Sequence, residues 1–484
     1  MDRAKTAFSE WSIGSDFLQL DVREAPPGGL ADWLAGQLRA AVADGRLPVG
    51  GRLPASRVLA AELRVSRGVV TEAYQRLIDD GHAAGRGRAG TVVVAAPVLP
   101  PSPSPDRFSA SGVITRLPGV DVFDAVRATP ARIDLTPGVP DLTAFPRAAW
   151  LRAERAVLDE LEPSHFGYGD PRGAPSMRLA VSRWLARNRG IRVDPGEIIM
   201  VAGVAQALTL VGEVLRQHGL SEIAVEDPSS LGARQHLHHC GLATPPVPVD
   251  DDGLLVSSLT APAVLLTPAH QFPMGVVLGG ERRRELMRWV AEGGIVVEDD
   301  YDAEHRYDRA PVPAVRSMVP EVCYTGSVSK LLAPALRVGW LVAPPRFFAD
   351  LVAAKRFADL GNPVLAQLVL ARLMETGELE RQLRVVRARH RRRRDAMIRA
   401  LSASLPSAVV HGAAAGLHLT VTFEAEVDDV AVAADALAEG VKVQPLSWHR
   451  QLPGRPGLVL GYAARTATEI EEGVAVLGRL VKSP

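Results

Sequence analysis

Short runs of Val, Ile and Leu alternate with segments of helical apolar spacing from about residue 133 to the end of the chain. Each run is bounded by Gly, Pro or acidic residues, which is typical of strands buried in a parallel sheet. We therefore predict an α/β domain whose largely parallel sheet binds ligands at the carboxyl ends of its strands. The predicted strands are Ile198–Val201, Ile223–Val225, Ala263–Leu266, Ile295–Val297 and Val322–Thr325.

The first 95 residues follow another pattern, that of three short helices and a hairpin. Leu30–Val42 carries apolar residues on one face, and Ser56 and Ser66 are expected to cap the second and third helices. The third helix should end at Gly81, and a Gly-rich hairpin follows it. Two short helices joined by a tight turn and followed by a hairpin predict a winged helix-turn-helix.

A proline-rich segment separates the two patterns. Residues 97–105 contain five prolines and show neither helical nor strand spacing, which is typical of a stiff, extended linker. We therefore expect a winged helix-turn-helix domain at residues 15–95, a linker at 96–130 and a larger domain at 131–484. A smaller C-terminal α+β subdomain is expected from about residue 380.

The arginine-rich run Arg387–Arg394 allows two interpretations. It contains six arginines and His390, a composition that suits a nucleic-acid-binding patch. It is also flanked by an apolar stripe at roughly helical spacing, formed by Leu383, Val386, Met397 and Leu401. We favour the second interpretation, a long solvated helix that leads into the C-terminal subdomain.

Composition and charge exclude several classes of protein. The chain has 55 Lys and Arg residues and 55 acidic residues, so its formal net charge is zero and any nucleic-acid surface must be local. Its two cysteines, Cys240 and Cys323, provide neither a disulfide framework nor metal-ligand spacing, and they suit a reducing cytosol. The sequence shows no signal peptide and no apolar run of about 20 residues, so we expect a cytoplasmic protein without a membrane partner.

Basic residues cluster around the predicted helix-turn-helix. Between Gly51 and Val70 there are four arginines and one acidic residue. The start of a recognition helix reaches base edges in the DNA major groove, where arginine pairs with guanine and threonine contacts the thymine methyl. The alternative is a small interaction domain whose arginines are merely solvated. The candidate contacts to double-stranded DNA are Arg57, Arg67, Gly68 and Thr71, with Arg86 and Arg88 at the hairpin tip.

Candidate cofactor chemistry follows two of the predicted strands. Lys330 ends the segment TGSVSK, where a lysine can bond to an aldehyde cofactor, and Ser327 and Arg337 suit its phosphate. In the acidic segment EDDYD, a carboxylate can pair with a protonated pyridine nitrogen. Taken alone, the acidic segment is also typical of a metal site or of a solvated strand end. A lysine after a strand is also typical of an ordinary surface residue.

Longer segments resemble known families. Residues 45–93 resemble the winged helix-turn-helix of GntR-type bacterial repressors. Farther along, six segments resemble fold-type I aminotransferases and follow in that family's order. They are FGYGDPRGAPSMRLAVSRWLARNRGI, MVAGVAQAL, VEDPSS, LLTPAHQFPMGVVL, VVEDDYDAEHRY and YTGSVSKLLAPALRVGWLV. Outside the linker, almost the whole chain is similar to the MocR family of regulators, which joins these two parts.

The resemblance implies pyridoxal 5'-phosphate (PLP) as cofactor. It implies that Lys330 bonds to the PLP aldehyde, that Asp299 pairs with the ring nitrogen and that Tyr301 donates to the ring hydroxyl. Tyr168 would reach the phosphate of the neighbouring subunit, which implies a homodimer with shared sites. The phosphate ligands implied within one chain are Gly203, Val204, Ala205, Ser327 and Arg337.

Two positions depart from the aminotransferase pattern. Ser230 stands where an aromatic residue often stacks on the cofactor ring, and Val459 stands about where an arginine binds the substrate carboxylate. Arg465 is the nearby alternative for that arginine. Because a desolvated carboxylate without a cation is costly, the departure at Val459 argues against an efficient amino-acid transaminase.

The sequence therefore predicts a dimeric, PLP-binding transcriptional regulator of operator DNA, rather than an enzyme. The signal that the larger domain senses has two candidates, PLP itself and an amine or amino acid. The absence of the carboxylate-binding arginine at Val459 favours PLP. Two alternatives remain. Val459 argues against a catalytic aminotransferase with an accessory DNA-binding domain, and Lys330, Asp299 and Arg337 argue against a binding module with an empty pocket.

Overall fold

The chain forms two compact units, Met1–Arg107 and Phe108–Pro484. The computed structural model describes residues 20–87, 90–94, 112–307, 312–424 and 427–482. The second unit contains a mixed eight-stranded sheet and a separate four-stranded sheet. Within the described ranges, no helix is long and apolar enough to cross a membrane.

The first unit contains three helices and a two-stranded hairpin. The helices are α1 (Leu30–Ala43), α2 (Ser56–Leu63) and α3 (Arg67–Asp79). The hairpin pairs β1 (Ala83–Gly85) with β2 (Thr91–Val93) in antiparallel fashion. This order confirms the predicted winged helix-turn-helix.

Serine stands near the starts of both α2 and α3, but it caps only one of them. Ser66 caps α3, because its side chain accepts a hydrogen bond from the amide of Val69 at 3.4 Å. Ser56 is instead the first residue of α2, whose N-cap is Ala55, so the predicted Ser56 cap is wrong. Arg64 follows α2 in the left-handed region with a φ of 54°, and it turns the chain toward α3.

Side chains from the three helices and the hairpin share one apolar core in the first unit. Leu38, Leu59, Val70 and Val93 are buried in it. Tyr74 joins them, and its hydroxyl donates a hydrogen bond to the carbonyl of Pro54 at 2.7 Å. This core packs α3 against α2 and leaves Arg67 and Gly68, at the start of α3, exposed.

The eight-stranded sheet organises the second unit. Its strands are β4 (Ile198–Val201), β5 (Ala224–Asp227), β6 (Pro246–Asp250), β7 (Gly253–Leu254), β8 (Ala263–Leu266), β9 (Ile295–Asp300), β10 (Cys323–Ser327) and β11 (Gly339–Val342). The order is β4–β11–β10–β9–β8–β5–β6–β7. All neighbours from β10 to β6 are parallel, whereas β11 is antiparallel to both β10 and β4. The largely parallel sheet is therefore confirmed.

The predicted strands agree with the observed ones at their starts. Ile198–Val201 and Ala263–Leu266 match exact bounds, and the other three begin within one residue of the prediction. Those three strands end later than predicted, at Asp227, Asp300 and Ser327, because polar residues continue them beyond their apolar part.

Helices cover both faces of this sheet. Alternate residues of β4 enter different apolar clusters, Ile198 and Met200 with residues of α6, and Ile199 and Val201 with residues of α7. Burial on both faces explains the continuous apolar runs of the strands. The helices described in the second unit, including those of the C-terminal subdomain, are α4 (Val122–Ala128), α5 (Arg147–Glu160), α6 (Pro175–Arg189), α7 (Val204–Gln217), α8 (Leu231–His239), α9 (Gly280–Ala291), α10 (Pro345–Asp359), α11 (Val364–Glu375), α12 (Glu378–Ser404), α13 (Asp429–Ala438) and α14 (Ala467–Lys482).

A smaller α+β subdomain contains α12, α13 and α14, as predicted. Its antiparallel sheet has the order β12–β13–β16–β15, where the strands are β12 (Val409–His411), β13 (His418–Thr422), β15 (Gln444–Pro445) and β16 (Gly457–Gly461). Next to it, β3 (Ile133–Asp134) pairs in parallel with β14 (Val441–Lys442).

Residues 112–130, which the sequence assigned to the linker, pack on this subdomain. Ile114, Val122 and Val126 are buried in its core, and the last two lie on α4. The indole nitrogen of Trp448 donates a hydrogen bond to the carbonyl of Thr115 at 2.7 Å. The expected linker at 96–130 is thus too long at its end, because one short helix offers too few apolar repeats to be recognised. Residues 96–111 lie outside the described ranges.

The arginine-rich run lies on α12, in the middle of the predicted apolar stripe. That stripe is buried, as expected. The run itself is only partly solvated, because His390 is fully buried and Arg393 pairs with Asp141 at 3.0 Å. Arg394 donates to the carbonyl of Ala413 at 2.9 Å. The helix is thus as predicted, but several of its arginines hold neighbouring segments rather than face water.

Candidate functional site

A cavity of about 490 Å³ is lined by residues of the eight-stranded sheet and of the C-terminal subdomain. The carboxyl ends of β8, β9 and β10 reach it with Leu266, Asp299 and Ser327. This is the edge at which parallel sheets bind ligands. The subdomain contributes His418 and Gln444 to the opposite part of the lining.

Lys330 follows β10 and lies in the cavity wall. Its Nζ donates a hydrogen bond to the carbonyl of Gly138, and its own carbonyl accepts one from Nε2 of His305 at 2.9 Å. Burial lowers the pKa of the Lys330 ammonium, while the charges of Asp302 and Asp299 oppose that shift. Burial thus favours the neutral amine, the nucleophilic form of lysine.

Asp299 lies near the end of β9, and its carboxyl group is buried in the cavity wall. Its Oδ1 has no hydrogen-bond partner among the described residues. Burial raises the pKa of Asp299 to about 7, and the charges of Asp300 and Asp302 add to the rise while Lys330 opposes it. A cationic N–H placed at Oδ1 would supply the missing partner and stabilise the carboxylate. Asp299 therefore fits a protonated ring nitrogen.

A hydrogen-bonded group beside Asp299 fixes the position of the Tyr301 phenol. The Tyr301 hydroxyl lies 2.9 Å from Nδ1 of His270, and the same nitrogen lies 3.0 Å from a carboxylate oxygen of Asp302. Burial, with the charges of Asp302 and Asp299, raises the pKa of Tyr301 well above its ordinary value. The phenol therefore stays protonated at neutral pH and remains a hydrogen-bond donor.

Another part of the cavity is suited to an anion. Residues 204–205 begin α7 at the cavity, and Gly203 precedes them as an N-cap without a side-chain hydrogen bond. Gly203 has a φ of 83°, and a Cβ there would lie 3.2 Å from Nη1 of Arg337. Arg337 donates to the carbonyl of Ala202, and Ser327 ends β10 beside it. A helix N-terminus with an arginine and a serine is a suitable phosphate site.

The structure brings most of the predicted cofactor residues together. Only Gly203 and Tyr168 of that set do not line the cavity. Gly203 adjoins it as the N-cap of α7. Tyr168 is 97% exposed, so within one chain it has no place in the cofactor site.

The two departures from the aminotransferase pattern have structural consequences. Ser230 is the N-cap of α8 and accepts a hydrogen bond from the amide of Ala233 at 3.3 Å, so its short side chain serves the helix. Phe272 and Phe123 are aromatic residues that do line the cavity. Val459 is fully buried in β16.

Arg465 does not take the place of the arginine expected at Val459. Its Nε donates to the carbonyl of Asp134 at 3.1 Å, and its guanidinium lies 3.5 Å from Glu469. It is not among the residues that line the cavity, so Arg465 as the alternative carboxylate partner is wrong.

Sequence reasoning missed a third group of cavity residues. Two of them, Asp302 and Ser229, lie within motifs that the sequence did single out, EDDYD and VEDPSS. His270, which contacts Asp302 from outside the cavity lining, lies within LLTPAHQFPMGVVL. No local pattern marks the others, because α4, α8 and the subdomain meet only after folding. These residues are Phe123, Arg127, Arg234, His418, Gln444 and His449.

The candidate DNA contacts are exposed on the first unit. Arg67 and Gly68 open α3, and the Arg67 Nε donates to the Ser56 hydroxyl at 3.3 Å. The Thr71 hydroxyl donates to the carbonyl of Arg67 at 2.9 Å. Arg57 and Arg86 are also exposed, whereas Arg88 lies outside the described residues.

Comparison with known protein families matches both parts of the chain. The sequence profile of the aminotransferase class I and II family matches residues 132–477. The profile of the gntR family of bacterial regulatory proteins matches residues 30–93. Together these profiles cover both described units.

Solved aminotransferases share the fold of the larger part. A kynurenine aminotransferase from Pyrococcus horikoshii, in complex with PMP, has a TM-score of 0.68 and 26% identity, covering 78% of this chain and 97% of that one. A multiple substrate aminotransferase from Thermococcus profundus has a TM-score of 0.69 and 28% identity with the same coverage.

Regulatory proteins are similar over both parts. The probable rhizopine catabolism regulatory protein MocR of Rhizobium meliloti is 30% identical over 90% of this chain and 91% of its own length. The HTH-type pyridoxine biosynthesis transcriptional regulator PdxR of Corynebacterium glutamicum is 30% identical over 90% of this chain and 93% of its own. This chain belongs to the MocR family of HTH-type transcriptional regulators, which join a GntR-type DNA-binding domain to an aminotransferase class I and II domain.

Proposed function

We propose that this regulator binds PLP in the cavity of its second unit and operator DNA through its first unit. Its affinity for the operator changes with the ligand content of the cavity. The observation that carries the proposal is the presence in one cavity of Lys330 and of Asp299, whose buried Oδ1 lacks a partner.

The chain's own residues suit PLP at four points. Lys330 is placed to bond with the aldehyde, the Asp299 carboxylate to pair with the ring nitrogen, and the Tyr301 phenol to donate to the ring hydroxyl. The start of α7 with Ser327 and Arg337 suits the phosphate. When bound, PLP supplies a ring that withdraws electrons from an attached amine.

We assign the second unit a sensing role rather than an enzymatic one. Val459, buried in β16, provides no cation where aminotransferases place a substrate-binding arginine. The chain retains the residues that suit the cofactor in the aminotransferase pattern. PLP itself, an amine or an amino acid can therefore serve as the signal.

DNA recognition is assigned to α3 and the hairpin. Arg67, Gly68 and Thr71 lie exposed at the N-terminal end of α3, which is the end that reaches base edges in helix-turn-helix complexes. Arg57 and Arg86 are placed to contact backbone phosphates on either side.

The active form is proposed to be a homodimer. Tyr168 is 97% exposed, as a residue that reaches a partner's cofactor must be in the isolated chain. Exposed apolar side chains lie on α5 and just after it, namely Leu151, Leu158 and Phe166. We take these side chains as candidate residues of the subunit interface.

A titration of operator binding tests the proposal. The apoprotein is mixed with labelled DNA from the promoter beside its own gene, and the anisotropy of the label is followed as PLP is added. We expect PLP to change the operator affinity several-fold, and Lys330→Ala to remove most of that response.

Two outcomes would redirect or reject the proposal. A response only to an amine or amino acid, added to the PLP-bound protein, would exclude PLP as the signal. A protein whose operator binding ignores both PLP and amines would contradict the sensing function. Arg465→Ala is a matched control, because that arginine is in the second unit but does not line the cavity.

A further inference from the structure

Two polar groups in the cavity wall lack the partners that buried groups normally have. The Nε of Arg234 and the hydroxyl of Ser229 are buried without a hydrogen bond to any described residue. Both residues line the cavity, and they are 7% and 9% exposed. Buried polar groups are normally satisfied, so two unsatisfied ones beside the same cavity indicate a missing ligand group.

Arg234 is held in place by one edge of its guanidinium. Its Nη2 donates to the carbonyl of Trp448 at 2.7 Å, which leaves Nε without a partner. Asp227 is the acidic residue whose charge acts on it, but the Asp227 oxygens accept from the amides of Gln451 at 2.6 Å and Leu452 at 3.2 Å. Arg234 therefore remains a buried cation whose charge no close carboxylate neutralises within the described part of the chain.

The other cations of the cavity have no buried nitrogen left without a hydrogen bond among the described residues. Arg127 pairs with Asp124, and Lys330 and Arg337 donate to backbone carbonyls. Arg337 also lies against Gly203 in the part assigned to phosphate. Arg234 belongs to another wall, that of α8 and the C-terminal subdomain.

The histidine beside Arg234 carries no charge, and both of its ring nitrogens already have partners. Nδ1 of His449 accepts from the amide of Leu231 at 3.4 Å, and its Nε2 lies 3.2 Å from Oε1 of Gln444. Burial, reinforced by the charge of Arg234, lowers the pKa of His449 to about 3, so the ring is neutral at physiological pH. The positive charge on this wall therefore comes from Arg234.

We propose that Arg234 and Ser229 bind the carboxylate of an amine ligand, and so replace the arginine that Val459 lacks. The inference rests on the proposed function, because the amine of that ligand meets the cofactor. It narrows the ligand class from amines in general to amines that carry a carboxylate. A guanidinium and a hydroxyl together provide charge-assisted donors for such a group.

Paired ligands test this assignment on the PLP-bound protein. Each of a series of ω-amino acids is compared with the n-alkylamine of equal carbon number, and dissociation constants are measured by calorimetry and by the absorption of bound PLP. In the unmodified protein, we expect at least one amino acid to bind about 10- to 100-fold more tightly than its neutral partner, as hydrogen bonds to charged groups allow. Arg234→Met should abolish that preference while the neutral amine binds as before.

Controls separate a binding role from a structural one. Arg465→Met removes an arginine that does not line the cavity, and it should leave the preference unchanged. If Arg234→Met does not fold because the Trp448 carbonyl loses its donor, Ser229→Ala provides the test. Ser229→Ala should weaken the carboxylate ligand several-fold and leave the neutral amine unaffected.

The proposal is overturned if the unmodified protein shows no preference for the carboxylate, if the preference survives Arg234→Met, or if Ser229→Ala leaves the preference undiminished. Failure of the proposed function appears differently, as a protein that takes up no PLP. In that case succinate, titrated with the same variants, still tests Arg234, because anion binding there does not require the cofactor. Equal succinate affinity in the unmodified protein and Arg234→Met would overturn the assignment.

Discussion

The two units of this chain arrange their charged residues in opposite ways. In the first unit, Arg57, Arg67 and Arg86 are exposed above an apolar core. In the second, Asp299 and Lys330 line a cavity, where desolvation shifts the pKa of both side chains toward the neutral form. Exposed cations keep their hydration until DNA displaces it, whereas buried groups carry a desolvation cost in the free protein.

This contrast shows what each unit requires of its ligand. The cavity contains polar atoms without partners, so a ligand that completes them should also stabilise the unit. The candidate DNA-binding residues are exposed, so water satisfies their polar atoms in the free protein. Substitutions in the cavity should therefore alter both stability and binding, and substitutions on α3 should alter binding alone.

The largest effect is expected at Lys330. Lys330→Ala removes the amine that is placed to bond with PLP, so borohydride should trap no covalent adduct and the yellow colour of the bound cofactor should change. Mass spectrometry of the reduced protein checks this. Lys355→Ala is the matched control, since Lys355 is also buried but does not line the cavity. An adduct that persists in Lys330→Ala would place the bond on another lysine.

Asp299 should make the stability of the apoprotein depend on pH. Its pKa is about 7 in the folded protein and 3.8 in its ordinary state. Between these values the folded protein keeps a proton that the unfolded chain has lost, so stability falls as pH rises. Asp299→Asn cannot titrate, and its stability relative to the unmodified protein should increase by about 1.4 kcal/mol per pH unit at most within that window.

Thermal midpoints of the two apoproteins from pH 5 to pH 7.5 measure this difference. The exposed Asp435, which does not line the cavity, provides the control variant Asp435→Asn. Parallel curves for Asp299→Asn and the unmodified protein would show that Asp299 is ionised throughout. The variant should also bind PLP more weakly, because an amide cannot pair with a ring cation.

Arg67 should affect DNA binding without affecting stability. Losing a bidentate guanine contact typically costs roughly 1–3 kcal/mol and relaxes specificity at one base. Arg67→Ala should therefore weaken operator binding more than binding to random DNA, with an unchanged thermal midpoint. Arg23, exposed and paired with Asp21 outside α3, provides the control Arg23→Ala. Equal losses on both DNA sequences would make Arg67 a phosphate contact.

The smallest effect is expected at Arg86 on the hairpin. If Arg86 contacts a phosphate, Arg86→Ala should weaken binding to operator and to random DNA alike. The slope of log affinity against log salt concentration should fall in magnitude by about one. Binding isotherms at several salt concentrations measure that slope. An effect confined to the operator would instead assign Arg86 to base recognition.

Local patterns were enough to predict the strands and part of the cavity. Asp299, Ser327 and Lys330 follow apolar runs directly, and parallel strands bring their carboxyl ends to one edge. The order of the elements also distinguished the winged helix-turn-helix from the larger domain. The cap at Ser56 was predicted wrongly because serine is also common in the first turn of a helix.

The rest of the cavity depends on contacts between distant segments. Arg234 meets Trp448 across more than 200 residues, and no spacing in the sequence marks either of them. The helix α4 was assigned to a linker because its few apolar residues gain meaning only from the core that they enter. Arg465 is an arginine close in sequence to Val459, yet its contacts with Asp134 and Glu469 keep it out of the cavity.

Trp448 has a consequence for how a signal leaves the cavity. Its carbonyl accepts from Arg234, and its indole donates to Thr115, which lies on the segment that leads back toward the first unit. A single amino acid thus separates the assigned ligand contact from the chain that carries the DNA-binding part. Any ligand that draws the guanidinium away from that carbonyl loosens one of two bonds on the same residue. Trp448 thus joins the assigned ligand contact to Thr115 through its indole ring and its own peptide bond.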